Sequence, residues 1–267
     1  MTLNSKYQTL LSIIRKYSSG AVAFSGGVDS TLLCKAVYDA LGVKGLAVTI
    51  ISPLIPQREI KLARKSAVSI GIAHKIIAIP ELDPVVKANP PDRCYHCKTI
   101  IFRSILSAAK EEGINVVFDG SNIDDLNDYR PGLRALKELE VVSPLVEADL
   151  HKEEIRELSR QLNLETWDLP AYACLASRIP YDSVITGEKL SMVEKGEDYL
   201  HGLGFRQIRL RHHGEIARIE VLRDDRNRFM NPEFMDQVSK ELKQLGFLYV
   251  CLELEGYRMG NLNKVLK

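Results

Sequence analysis

From Leu3 to Leu162, short apolar runs alternate with longer stretches in which apolar residues recur every three or four positions. Leu3, Leu10, Leu11, Ile13 and Ile14 predict an amphipathic helix over 3–17, closed by Gly20. Residues 21–24 form a short apolar strand between glycine-rich turns. A helix over 30–40 follows, with Leu32, Leu33, Ala36 and Val37 on its buried face. The same reading places strands at 45–50, 75–79, 115–118 and 141–143, and helices at 57–70, 98–112 and 152–162. Apolar strands spaced by helices of this length are the mark of a parallel sheet covered on both faces.

The pattern then changes. Residues 167–186 are irregular and contain Pro170 and Pro180. A helix is predicted at 188–200, and alternating side chains at 206–211 and 216–221 straddle His213-Gly214 as antiparallel strands. A helix at 233–245 and a strand at 247–253 complete the pattern. The expected architecture is therefore a parallel-sheet α/β domain over 1–168 followed by a small α+β domain over 169–267.

Composition narrows the function. The 267 residues are 45% apolar, enough for a substantial core. Lys and Arg number 36 against 35 Asp and Glu, a net charge of +1 that lacks the basic footprint of a nucleic-acid binder. No apolar stretch approaches the roughly eighteen residues that span a bilayer. The N-terminus runs directly into a helical pattern with no secretory leader, and the five cysteines are an odd number. A cytoplasmic location is expected, where cysteines more often bind metal or do chemistry than form disulfides.

The strongest local signal is Ser25-Gly26-Gly27-Val28-Asp29-Ser30 between a strand and a helix. Gly26 and Gly27 permit a tight turn whose amides approach an anion, and the helix N-terminus points its free amides into the same turn. Ser25, Ser30 and Thr31 have hydroxyls to offer phosphate oxygens. Asp29 would repel phosphate directly, so its sensible role is to hold Mg²⁺. The dinucleotide fingerprint and the Walker loop both fail on spacing. The alternative is an ordinary turn with Asp29 capping the helix.

Asp119-Gly120-Ser121-Asn122-Ile123-Asp124-Asp125 and the residues up to Gly132 follow a predicted strand, where an open parallel sheet presents its ligand crevice. Asp124 and Asp125 are candidates for the magnesium shell and Arg130 for a phosphate. A solvated turn with helix caps fits the same composition. Cys94-Tyr95-His96-Cys97 has metal-ligand spacing, and Cys174 lies well downstream. These three thiols are open to three readings: an iron–sulfur or sulfur-relay site, zinc, or inert thiols. Cys34 and Cys251 read as core.

The six-residue loop resembles the signature of the PP-loop ATP pyrophosphatases (adenine nucleotide alpha hydrolase-like), whose members transfer AMP to an oxygen and release pyrophosphate. By that resemblance Ser25, Gly26, Gly27, Asp29 and Ser30 would hold the pyrophosphate and its magnesium. Together with PPDRCYHCK, ACLASRIPYD, IRLRHHGEIARIE and LEGYRMGNLN, the sequence resembles the LarE family of ATP-dependent sulfur transferases, which serves nickel-pincer cofactor biosynthesis for lactate racemase. The resemblance implies a PP-loop domain and a small C-terminal domain. It also implies ATP and Mg²⁺ as reactants and pyridinium-3,5-biscarboxylic acid mononucleotide as the anionic substrate.

Cys94, Cys97 and Cys174 together resemble the members whose three cysteines hold a [4Fe-4S] cluster. In other members one cysteine is sacrificed as sulfur donor, which here would be Cys174. Arg209 and Arg211 are assigned by the resemblance to the anionic substrate, with Arg178 nearby in sequence. The alternative is a solvated strand face paired with Glu215 and Glu220. A homo-oligomer and transient contact with other cofactor-synthesis proteins are also implied, with no nucleic-acid or membrane partner. Other readings are a tRNA thiolase, which would want a more basic surface, and a non-catalytic ATP sensor, which would not need the cysteines.

Overall fold

The computed structural model describes residues 2–127, 131–170 and 172–266, which form two compact units. The first comprises residues 1–83 and 92–172, the second 84–91 and 173–267.

In the first unit the predicted alternation becomes α1 (Leu3–Ile14), β1 (Gly20–Ala23), α2 (Val28–Leu41), β2 (Gly45–Ile51), α3 (Gln57–Ile70) and β3 (Ala73–Ala78). The chain then supplies α4 (Pro84–Ala88) to the second unit and returns with α5 (Arg93–Glu111), β4 (Val117–Phe118), α6 (Gly132–Glu138), α7 (Pro144–Glu147) and α8 (Lys152–Gln161). The four strands are parallel in the order β3-β2-β1-β4. Strand alternation divides the core between the two faces. Val22, Phe24 and Ala47 pack with residues of α1, α2, α3 and α8 such as Leu10, Leu32, Ala63 and Ile155. Ala21, Leu46, Val48 and Ile50 pack with Phe102 and Ile105 of α5 and Leu136 of α6.

Two expectations change here, and a third changes in the second unit, where Cys251, expected in the core, is exposed. The strand at 141–143 is an isolated parallel bridge, Phe118 to Val142. Helix α5 starts at Arg93 rather than Lys98, so Cys94 and Cys97 lie within its first two turns instead of ahead of it.

The second unit contains α9 (Gly187–Gly202), β5 (Ile208–His213), β6 (Ile216–Val221), α10 (Pro232–Gln244) and β7 (Tyr249–Leu252). β5 and β6 are antiparallel, and β7 returns parallel to β6 after α10. Ile208, Leu210, Ala217, Ile219 and Val221 join Leu200, Val238, Leu242 and Phe247 in one core, which leaves Arg209, Arg211, Arg218 and Glu220 for the opposite face. The segment 84–91 belongs here because Asn89 binds it down. Its side-chain amide donates to the carbonyls of Ile179 (3.3 Å), Pro180 (2.7 Å) and Ser183 (3.2 Å). Asn89 adopts φ 64°, which asparagine tolerates better than most residues.

Arg178 and Glu197 form a deeply buried ion pair, at 1% and 0% side-chain exposure, joined by two 2.9 Å hydrogen bonds. Burial alone would push the Glu197 carboxyl up, but the charge and hydrogen bonds of Arg178, the Leu210 amide and Arg209 outweigh it and hold the pKa at about 2. Replacing Glu197 by Gln should cost about 3 kcal/mol, because it strands a buried guanidinium. The carboxyl's pKa is lower folded than its ordinary 4.5. Its contribution is therefore complete above that value and is lost as pH falls toward about 2. Urea midpoints of wild type and Glu197→Gln should differ by a constant amount near neutrality and converge in acid. A gap independent of pH would contradict this.

Candidate active site

The six-residue loop lies where β1 hands over to α2. Gly26 has φ 75°, and a Cβ there would meet the Ala63 backbone at 2.9 Å, so both conformation and space demand glycine. Gly27 is the N-cap of α2 and has no side chain to cap the helix amides, while its own amide lies 3.4 Å from Ser25 Oγ. Ser30 folds back, its hydroxyl 3.1 Å from that of Ser25 and 3.3 Å from the Gly27 carbonyl oxygen, to which it donates. Thr31 is buried, and its hydroxyl has no partner among the described residues. The result is a short, stiff turn with Ser25 exposed beside a helix N-terminus, the arrangement suited to an anion.

The loop after β4 packs directly on that turn. A Cβ at Gly120 would come within 3.2 Å of the Ser30 amide nitrogen. Asp119 is buried and accepts from the Ser121 amide and from the hydroxyls of Ser121 and Ser143, which fixes the loop's base. Asn122 Nδ2 then donates to Asp29 Oδ1 at 3.1 Å, and Lys152 Nζ donates to Asp29 Oδ2.

Asp124 and Asp125, the other magnesium candidates, accept backbone amides. Asp124 accepts from the Lys152 amide (2.7 Å) and pairs with His151 Nδ1 (2.9 Å), and these two contacts, in that order, draw its pKa down. The same pairing raises the His151 pKa. Asp125 accepts from the Asn122 amide at 3.2 Å. Arg130 lies outside the described residues. Among the described residues, no three His, Cys, Asp or Glu side chains are grouped to hold a metal ion. Asp29 nevertheless fits magnesium. The Lys152 ammonium already stands against its carboxylate as a cation, and Mg²⁺ commonly takes one carboxylate plus phosphates and water.

Cys94 and Cys97, three residues apart on α5, share a helix face. Cys94 is exposed and Cys97 partly so. Arg93 Nη2 lies 3.9 Å from Cys94 Sγ. The turn is braced by Tyr95, whose hydroxyl donates to Glu138 at 2.7 Å and whose ring carries the Arg134 guanidinium at 3.7 Å.

The second unit builds a cationic face around Cys174. The Cys174 carbonyl accepts from the Ser177 amide (3.0 Å), the Ser177 hydroxyl (2.8 Å) and Arg178 Nη1 (3.0 Å). Arg178 also donates to the Ala173 carbonyl. Arg178, expected on the substrate, directs these donors to the cysteine turn and to Glu197. Arg211 reaches the same turn from β5, with Nη1 2.6 Å from the Ser177 carbonyl oxygen and Nε and Nη2 on Glu220 at 3.1 and 2.8 Å. Arg218 and Asn261 add further hydrogen bonds to Glu220, at 2.9 and 2.8 Å. Arg209 lies with its guanidinium 5.1 Å from the Tyr257 ring centre. Burial, and then the like charge of Arg178, push its pKa down to about 10 against the opposing pull of Glu197. An anion beside Arg209 would relieve that repulsion.

The fold therefore gathers three separated motifs, at 173–182, 208–220 and 254–263, onto one face. It gathers the six-residue loop and the segment from Asp119 onto another. Lys152 and Asn89 escaped the sequence reading because their partners lie far along the chain. Glu197 was within reach: it lies in one apolar stripe with Leu190, Val193 and Leu200.

No protein-family model matches the chain. An uncharacterised protein of Synechocystis is 42% identical, with 99% of each chain covered. The pyridinium-3,5-bisthiocarboxylic acid mononucleotide synthase of Lactiplantibacillus plantarum is 37% identical over 99% of this chain and 96% of its own length. An uncharacterised protein of Methanocaldococcus jannaschii is 33% identical over 89% of this chain and 90% of its own. With identity of this order along nearly the whole sequence, and its motifs assembled as described, the chain belongs to the LarE family of ATP-dependent sulfur transferases.

Proposed function

We propose that this enzyme adenylates a carboxylate of pyridinium-3,5-biscarboxylic acid mononucleotide and replaces the activated oxygen with sulfur, releasing pyrophosphate and AMP. The observation that carries this reading is the construction of the Cys174 turn. Arg178 and Arg211 both hold its carbonyls, so a sulfur-bearing residue is built into the arginine face that suits a phosphate and carboxylates. The name of the Lactiplantibacillus relative gives the thiocarboxylate product for that protein.

The carboxylate oxygen attacks the α-phosphorus of ATP and pyrophosphate leaves toward the amides of 25–27 and the α2 N-terminus. Magnesium bound with ATP would be held through Asp29 and would neutralise the departing charge. Arg209 and Arg211 bind the mononucleotide. Sulfur then adds to the acyl carbon, and AMP departs with the original carboxylate oxygen.

For the sulfur source, Cys94, Cys97 and Cys174 are proposed as ligands of a [4Fe-4S] cluster. The paired, accessible thiols of α5 are the donor type such a cluster takes. When bound, it would offer an iron with an open position for sulfide. The position of Cys174 on the arginine face favours a second reading. Its thiolate displaces AMP to form a thioester, loss of the cysteine Cα proton breaks the Cβ–S bond, and the thiocarboxylate leaves dehydroalanine behind.

Incubation with ATP, Mg²⁺ and the biscarboxylate mononucleotide should convert the mononucleotide to its thiocarboxylate, detected by mass spectrometry, with pyrophosphate released. Unchanged mononucleotide in the presence of a competent sulfur source would refute the reading. Asp29→Asn should lower pyrophosphate release by about 100-fold, as loss of a major electrostatic contribution does. Near-normal release at saturating ATP would remove Asp29 from the mechanism.

The sulfur source is decided separately. Anaerobic reconstitution should load about four irons per chain, and replacing Cys94, Cys97 or Cys174 singly should abolish loading. An iron-free active protein that loses about 34 Da at Cys174 per turnover would establish the sacrificial route instead.

A further inference from the structure

The role of Lys152 is assigned by neither the sequence motifs nor the family resemblance. It is the first residue of α8, its backbone amide fixed to Asp124 at 2.7 Å, while its ammonium reaches back to Asp29 Oδ2 at 2.5 Å. The Asp29–Lys152 pair is sheltered, with side-chain exposures of 23% and 32%. The other Asp29 oxygen accepts from Asn122. Both oxygens are thus engaged, one by a neutral amide and one by a full positive charge.

A divalent cation must approach a carboxylate oxygen to about 2.0–2.1 Å, and it cannot do so beside a retained ammonium without strong like-charge repulsion. We propose that Lys152 is a positioning residue that guards Asp29 against a bare divalent cation. It yields only when nucleotide phosphates arrive and give the ammonium another anion to face. The metal then enters with ATP and not before it. This rests on the reading that Asp29 meets the magnesium of ATP.

Two features make the device specific. The root of the side chain is held by the Asp124–His151–Lys152 cap, so the ammonium can leave Asp29 by side-chain rotation without moving the helix. Asn122 keeps the carboxylate in place while the exchange occurs. A bystander ion pair would compete with nothing and would leave metal affinity unchanged.

The test is Mn²⁺ binding to the full-length protein, followed by the electron paramagnetic resonance of free Mn²⁺, with and without α,β-methylene-ATP. Lys152→Met should bind Mn²⁺ at least about threefold more tightly than wild type in the absence of nucleotide, the scale of a partly exposed ion pair. The gap should narrow once the analogue is bound, and Lys152→Arg, which keeps the charge, should follow wild type. Adding Asp29→Asn should erase the gain. Lys152→Gln serves as the second neutral variant should the Met protein melt early. If Asp29→Asn weakens Mn²⁺ binding but Lys152→Met and Lys152→Gln do not tighten it, the guarding role is wrong while the Asp29 reading stands. If Asp29→Asn changes Mn²⁺ binding in no background, with or without the analogue, both fail.

Discussion

A guanidinium removed from water must be matched by charge and hydrogen bonds, and much of the second unit is arranged around meeting that demand at Arg178. Two of its nitrogens go to Glu197 and a third to the carbonyls of Ala173 and Cys174. Glu197 in turn accepts the Leu210 amide at 3.0 Å, which ties α9 to β5. The irregular segment carrying Cys174 therefore takes its shape from a helix and a strand that follow it in the chain. Such a pair contributes little net stability compared with an apolar replacement, but it fixes one arrangement because any other would leave a charge unpaired. For Cys174, beside the arginine face, that definition is the consequence of the pair.

The first unit solves the inverse problem. There the charge left partly open is negative, at Asp29 on the first turn of a helix whose amides also invite anions. Asn122 and Lys152 hold the carboxylate, and the cap made by Asp124 with His151 and the Lys152 amide fixes the origin of the lysine. The acidic loop thus supports Asp29 instead of multiplying it. Both units place a polar network on a sheet: at the C-terminal ends of parallel strands in one, and on the face of a three-stranded sheet opposite its core in the other.

The alternation of apolar strands and helices was legible because each element buries a stripe or a face that local spacing reveals, as in the match of predicted and observed α3. The six-residue loop was legible because glycine at Gly26 answers a local requirement. The start of α5 was misplaced because Cys94, Tyr95, His96 and Cys97 carry no helical apolar stripe, although Pro90-Pro91-Asp92 was an available start signal. Among the described residues, the stretch at 167–186 is irregular as expected, with one short helical turn at Leu175–Arg178. Its order depends on Asn89 and Glu197, whose contacts no local pattern encodes. Arg178 and Asp124 show the same limit from the other side. Their residue types suggested ligands, and no local pattern shows the partners they take here, the Cys174 turn with Glu197 for one and the Lys152 amide with His151 for the other.

The central claim is that a carboxylate is activated as its adenylate before sulfur replaces oxygen. The most direct test uses mononucleotide labelled with heavy oxygen in its carboxylates and follows the label into the products of one turnover. The account predicts AMP carrying one heavy oxygen, unlabelled pyrophosphate, and a thiocarboxylate that has lost that atom. Unlabelled AMP alongside thiocarboxylate formation would mean that the carboxylate never attacked the α-phosphorus, and would contradict it.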